Sequence, residues 1–223
     1  MPIFLFETFG SASIGVYTLA TDEFVIVPNP LPKSSLKKLE EVLRAKVIQT
    51  NIGGSVLIGS LLCANSNGII IPYFAWEEEI EILKSSLDLN LTMMKTKRTA
   101  YGNLVLANDY GAIVDPRLNK EDIEKIADTL GVEAVAGEIA GLPYVGSLAI
   151  ATNKGVLAHP LINEKEEKKM RDVLKVHVGV GTINCGIPYI ATGLIGNSYA
   201  SLAGYLTTRP ELFMIGQALG VVN

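Results

Sequence analysis

Pro28, Pro72, Pro116 and Pro160 follow one another at intervals of 44 residues. A spacing this regular means repeated structural units, each folding and packing as its neighbours do. One short pattern precedes each proline. It reads Leu19-Ala20-Thr21-Asp22, Cys63-Ala64-Asn65-Ser66, Leu106-Ala107-Asn108-Asp109 and Ile150-Ala151-Thr152-Asn153, with a degraded fifth copy at Ile195-Gly196-Asn197-Ser198. Glycine follows in the middle three copies, at Gly68, Gly111 and Gly155. Each copy reads as a hairpin: apolar residues lead to a polar turn, a β-branched run leads away, and proline ends the strand because it cannot donate to a ladder.

A helix is expected after each proline. Leu36, Leu39 and Leu43 form an apolar stripe in the first unit; Trp76, Ile80, Leu83 and Leu87 do so in the second, and Ile123, Ile126, Ala127 and Leu130 in the third. Asn119 with Asp122, and Asn163 with Glu166, have the spacing of an N-cap and its third helical residue; Met170, Val173 and Leu174 continue the fourth helix. Pro210 suits the first turn of the fifth, before Leu212, Ile215 and Leu219. A further strand follows each of the first four helices, at 47–50, 89–93, 133–137 and 176–180. The fifth unit has no such strand before Asn223, whereas Ile3-Phe4-Leu5-Phe6 is a spare one at the N-terminus. The expectation is an α/β chain of five β-β-α-β units, closed into a pseudo-fivefold ring by its first strand. Residues 1–223 then form one domain, with repeats at about 11–54, 55–100, 101–144, 145–189 and 190–223 and a closing strand within 1–10. Closure would leave no exposed sheet edge at the ends of the chain.

Composition narrows the function classes. Hydrophobic residues make up 48% and charged residues 19%, enough apolar material for a large core. A net charge of −4 argues against a protein that coats nucleic acid through its phosphates, and DNA is not an expected partner. Cys63 and Cys185 are too few for a disulfide framework. The apolar start, Met1 to Gly10, carries Glu7 and no basic stretch, so it does not read as a signal peptide. Longer apolar runs are interrupted, at 65–67 and at Glu138 for instance, and none reads as a membrane span. A cytoplasmic protein is expected. With only His159 and His177 and no Cys/His cluster, neither a metal nor another cofactor is expected.

Five β-β-α-β units closed in a ring describe the pentein fold, also called an α-β propeller. Within that fold the chain resembles the initiation factor 6 family over essentially its whole length. The resemblance is carried by Tyr101-Gly102-Asn103, Asn108-Asp109-Tyr110, Val145-Gly146-Ser147 and Leu157-Ala158-His159-Pro160, in that order and spacing. With no extension beyond the fifth unit, it is similar to the archaeal members. The resemblance implies a non-enzymatic monomer that binds the large ribosomal subunit beside the sarcin–ricin loop, mainly through a neighbouring ribosomal protein. It implies that the bound factor prevents joining of the small subunit and attends late maturation of the large one.

A rival expectation comes from the same fold. Other penteins modify guanidino groups with a Cys nucleophile, a His and acidic residues, and Cys185, His159 and Asp115 would be the parts here. Against it, the position before the repeat proline is simply Val27, Ile71, Asp115 and His159 in turn, and units this regular leave no room for catalytic insertions.

Gly15, Gly59, Gly102 and Gly146 recur at equivalent points, with Ala191 in the fifth copy. Glycine inside a strand costs stability, so its recurrence signals close backbone approach around the ring axis. The following residues, Val16, Ser60, Asn103, Ser147 and Thr192, are expected to form a ring of short side chains on one face. That face, with Gly15, Gly102 and Tyr101, is the expected ribosome-binding site; in related members the segment matching Tyr101-Gly102-Asn103 serves the large subunit. The run Lys95-Thr96-Lys97-Arg98 lies beside it, and Lys97 and Arg98 are the expected contacts with ribosomal RNA at the interface edge.

Overall fold

The computed structural model describes residues 2–220. Strand β1 (Ile3–Phe6) comes first. The first unit has α1 (Ile14–Tyr17), β2 (Leu19–Ala20), β3 (Phe24–Val27), α2 (Lys33–Leu43) and β4 (Lys46–Gln49). The second has α3 (Ile58–Leu61), β5 (Cys63–Ala64), β6 (Gly68–Pro72), α4 (Glu77–Ser86) and β7 (Asn90–Met94). The third has α5 (Tyr101–Leu104), β8 (Val105–Ala107), β9 (Ala112–Val114), α6 (Lys120–Leu130) and β10 (Ala134–Ala136). The fourth has α7 (Val145–Leu148), β11 (Ala149–Ala151), β12 (Gly155–Ala158), α8 (Glu164–Leu174) and β13 (His177–Val180). The fifth has α9 (Ile190–Gly193), β14 (Leu194–Gly196), β15 (Ser201–Gly204) and α10 (Arg209–Ala218).

Each unit holds one three-stranded sheet. Its central strand pairs antiparallel with the hairpin partner and parallel with the strand after the helix, as in β2-β3-β4. The fifth sheet is β14-β15-β1, with Ile3 opposite Ser201 and Phe6 opposite Gly204. The spare N-terminal strand therefore completes the last unit as the repeat predicts. The five sheets remain separate and open among the described residues. The ring closes through packing between units rather than through one continuous ladder.

The core explains that closure. Central strands are buried throughout, as in Phe24-Val25-Ile26-Val27, so alternate side chains face opposite neighbours. Val25 and Val27 join Phe6, Ile195 and Leu202 of the fifth sheet. Phe24 and Ile26 join Ile58, Ile69 and Ile71 of the second unit. Three further clusters repeat the arrangement around the ring. Each core lies between two units, so every unit depends on two neighbours. Fully burying one such aliphatic side chain contributes about 1.5–3 kcal/mol.

The helices follow the expected stripes. Asn119 Oδ1 accepts from Asp122 N at 2.8 Å, and Asn163 with Glu166 forms a capping box. Leu39, Leu43, Ile126, Leu130, Met170 and Leu174 are fully buried. Trp76 is a correction: it is the N-cap of α4, 57% exposed, and its ring covers Gly54 rather than the core. Helical spacing does not apply to a residue that precedes the first turn.

Candidate docking face

The recurring glycines lie in one-turn helices, not in strands, which corrects the expectation above. In α1, α3, α5, α7 and α9 the first residue is buried: Ile14, Ile58, Tyr101, Val145 and Ile190. The second is Gly15, Gly59, Gly102, Gly146 or Ala191. These helices pack in sequence around the axis, α9 against α1 included. A Cβ on Gly59 would overlap the carbonyl oxygen of Gly15 and stand 2.6 Å from that of Thr18. Gly102 meets Gly59 in the same way, Gly146 meets Gly102, and Gly15 meets Ala191. At these four contacts the backbones are too close for any side chain on the glycine. Around the axis they enclose a cavity of about 100 Å³ lined by these glycines and by Ala20, Ala64, Ala107, Ala151 and Gly196.

The third positions are Val16, Ser60, Asn103, Ser147 and Thr192, all half-buried. They share one point of five equivalent helices and so ring one end of the axis. Gly15 and Tyr101 differ from expectation. Both are buried, Tyr101 completely, so neither offers a side-chain surface to a partner. Burial raises the Tyr101 pKa further than the hydrogen bond with Thr96 lowers it. The phenol instead braces the preceding turn. Its hydroxyl lies 2.8 Å from Thr96 Oγ1, which also donates to Arg98 O at 2.8 Å. Lys97 and Arg98 are exposed on that turn.

A tight turn precedes each short helix, and three of these turns are held by a capping glutamate. Gly53 N and Gly54 N donate to Glu79 at 2.6 and 2.8 Å, and Ala140 N and Gly141 N to Glu166 at 3.1 and 2.9 Å. Cys185 N and Gly186 N donate to Glu211 at 3.1 and 2.8 Å. Burial raises the Glu211 pKa, but donation from Thr208, Gly186 and Thr182 outweighs it and brings the carboxyl down to about 2. Sequence reading missed these clamps. The available signal was a constant offset of 26 residues between turn and glutamate.

The opposite end of the axis is polar. Asp22 accepts from Ser198 and Asn153, and Asp109 from Ser66 and Asn153. Just inside, Asn65 Nδ2 donates to Asn108 O and Leu130 O of the next unit, Asn108 Nδ2 to Thr152 O and Leu174 O, and Asn197 Nδ2 to Thr21 O and Leu43 O. The repeated Asn is thus a clasp between units as well as a turn residue.

Against this geometry the comparisons with known proteins are specific. The family model described as "eIF-6 family" matches residues 3–218. The chain is 46% identical over 217 residues to "Translation initiation factor 6" of Pyrococcus furiosus, covering 95% of this chain and 96% of that protein. The protein of that name from Nitrosopumilus maritimus is 46% identical over 218 residues, with 98% and 99% covered. That of Methanocaldococcus jannaschii is 43% identical over 221 residues, with 96% of each covered. The chain belongs to the eIF-6 family.

In this eIF-6 family chain the parts of the rival enzyme reading are engaged separately. His159 is buried, its Nδ1 accepts from Leu161 N at 3.1 Å, and burial lowers its pKa. Asp115 is fully buried and ion-paired with Arg117 at 2.5 Å; burial raises its pKa, but the Arg117 hydrogen bonds lower it further. Cys185 is exposed on a turn with φ +67°, its backbone held by Glu211. The buried Cys63 thiol is pushed up to about 12. Among the described residues no group of three or more His, Cys, Asp or Glu side chains could hold a metal ion, and no helix is long and apolar enough to cross a membrane.

Proposed function

We propose that this protein is a translation factor that binds the large ribosomal subunit and prevents its association with the small one. Membership of the eIF-6 family and relatives named "Translation initiation factor 6" support this reading. The observation that carries the docking face is the ring of five equivalent one-turn helices. It presents Val16, Ser60, Asn103, Ser147 and Thr192 from a backbone packed too tightly to yield. A rigid face of short side chains forfeits little conformational freedom on docking. The principal contact is with a ribosomal protein near the sarcin–ricin loop, and Lys97 and Arg98 touch ribosomal RNA at the edge. Tyr101 and Gly15 act from beneath, by holding the turn and the helix packing.

The protein works as a cytoplasmic monomer without turnover or cofactor, and it also serves late maturation of the large subunit. Sedimentation of purified subunits with and without the protein tests the reading. It should move with large subunits and reduce the joined population. Unchanged joining at saturating protein would refute it.

A further inference from the structure

The five turns before the short helices are equivalent in position but not in charge. Four carry small or neutral tips: Phe9-Gly10, Gly53-Gly54, Ala140-Gly141 and Cys185-Gly186. The third is Lys95-Thr96-Lys97-Arg98, in a chain whose net charge is −4. Lys95, Lys97 and Arg98 are exposed, and among the described residues none of them makes an ion pair. The turn is shaped by Thr96, which receives Arg98 N at 3.2 Å and is itself braced by Tyr101.

Arg117 and Tyr144 add a second element. Asp115 holds the guanidinium by Nε at 2.9 Å and Nη2 at 2.5 Å. The group lies over the Tyr144 ring, 4.5 Å from its centroid, with Nη1 3.5 Å from the hydroxyl. Asp115 cancels the charge of Arg117, so the net positive field comes from Lys95, Lys97 and Arg98. Arg117 contributes directed donors, since its fork has five and Asp115 occupies one edge. Tyr144 is 47% exposed despite the arginine on it. The two elements meet through α5: Asp115 N donates to Leu104 O at its end, Tyr101 at its start braces the 95–98 turn, and α5 packs against α7, whose N-cap is Tyr144.

We propose that Lys95, Lys97, Arg98, Arg117 and Tyr144 form one surface for an unpaired ribonucleotide segment of the large subunit, with phosphates on the cations and a base on the Tyr144–Arg117 stack. The inference rests on the large-subunit reading above and extends it beyond an edge contact of two cations. Cations alone would suit any polyanion. The exposed ring selects an unpaired strand, because bases in an A-form helix are stacked out of reach while splayed ones stack on aromatic and guanidinium planes.

The test is cosedimentation with large subunits across a salt series, combined with crosslinking. For single strands each lost phosphate contact flattens the plot of log K against log salt by about 0.7. Lys97→Ala/Arg98→Ala should flatten it by roughly 1.4 on that scale. Tyr144→Ala should weaken binding about tenfold, as loss of one stacked base would, at every salt concentration, and Tyr144→Phe should restore it. Ultraviolet crosslinking should join ribosomal RNA to the peptide containing Tyr144. An unchanged slope in the double variant overturns the proposal. So does carbodiimide coupling of Lys95 or Lys97 to a ribosomal-protein carboxylate without any RNA crosslink. A wild-type protein that fails to bind subunits defeats the functional reading, and this one with it; wild-type binding with an unaltered slope in the double variant defeats this one alone.

Discussion

The carbonyl oxygen of Gly15 occupies the space where a side chain on Gly59 would begin. The same relation links Gly59 to Gly102 and Gly102 to Gly146, so one backbone contact recurs around the axis. Gly59→Ala must push two units apart. Overpacking of this kind costs typically about 1–3 kcal/mol, and an overlap with backbone belongs at the upper end or above it. For a chain of this length that lowers Tm by roughly 6 °C or more. Gly10 has open space around it and φ +71°, a conformation Asn tolerates, so Gly10→Asn should cost about 1 kcal/mol or less. Calorimetry on both variants checks the contrast, which fails if Gly59→Ala melts like the wild type.

Asn103 is the third-position residue best suited to a partner, because its amide both donates and accepts. Its backbone N is already bonded to Ala100 O at 2.9 Å, so truncation leaves α5 in place. Asn103→Ala should weaken large-subunit binding about tenfold or more, the effect of losing about 2 kcal/mol at an interface centre. Its melting temperature should barely move. Glu78→Ala, on the exposed first turn of α4, should change neither quantity. Normal binding by Asn103→Ala together with impaired binding by Glu78→Ala would move the docking face to the helical rim.

Glu211 makes stability depend on acid. Its folded carboxyl titrates near 2 against an ordinary value of 4.5. A depressed pKa contributes stability that is complete above the unfolded value and is lost as pH falls from about 4.5 towards 2. The contribution is on the order of 3 kcal/mol near neutrality. Glu211→Gln should be less stable than wild type at pH 7, and the gap should close as the pH approaches 2. Denaturation midpoints measured across that range decide it; a gap independent of pH would mean that packing, not charge, holds the turn at 185–186.

Cys185→Ala and His159→Ala should both retain subunit binding. The first removes an exposed side chain; the second deletes a buried acceptor and should cost about 1–3 kcal/mol of stability. A hydrolysis of arginine-like substrates that disappears in either variant would restore the enzyme reading. Thiol accessibility gives an independent check. Cys185 is exposed and should react with a thiol reagent in the native protein, whereas Cys63, buried and with its thiol pushed up to about 12, should react only after unfolding.

The 44-residue recurrence, the hairpin turns and the capping signals by themselves determined five β-β-α-β units and the role of Ile3 to Phe6 as the missing strand. Those features are local or periodic, and a periodic signal adds up over five copies. The sequence also marked the glycine positions as places of close approach. It did not reveal that they lie in helices, because a single turn of four residues is too short to show helical periodicity. Nor did it separate Tyr101 from Asn103: both belong to one short segment, yet one is sealed in the core and the other is half-buried in the ring of third positions. That difference, the outward turn of Trp76, the glutamate clamps and the placing of Arg117 over Tyr144 were decided by tertiary structure. Each depends on which neighbouring unit a side chain meets, and the meeting residues lie about 20 to 45 positions apart or on opposite sides of the ring closure.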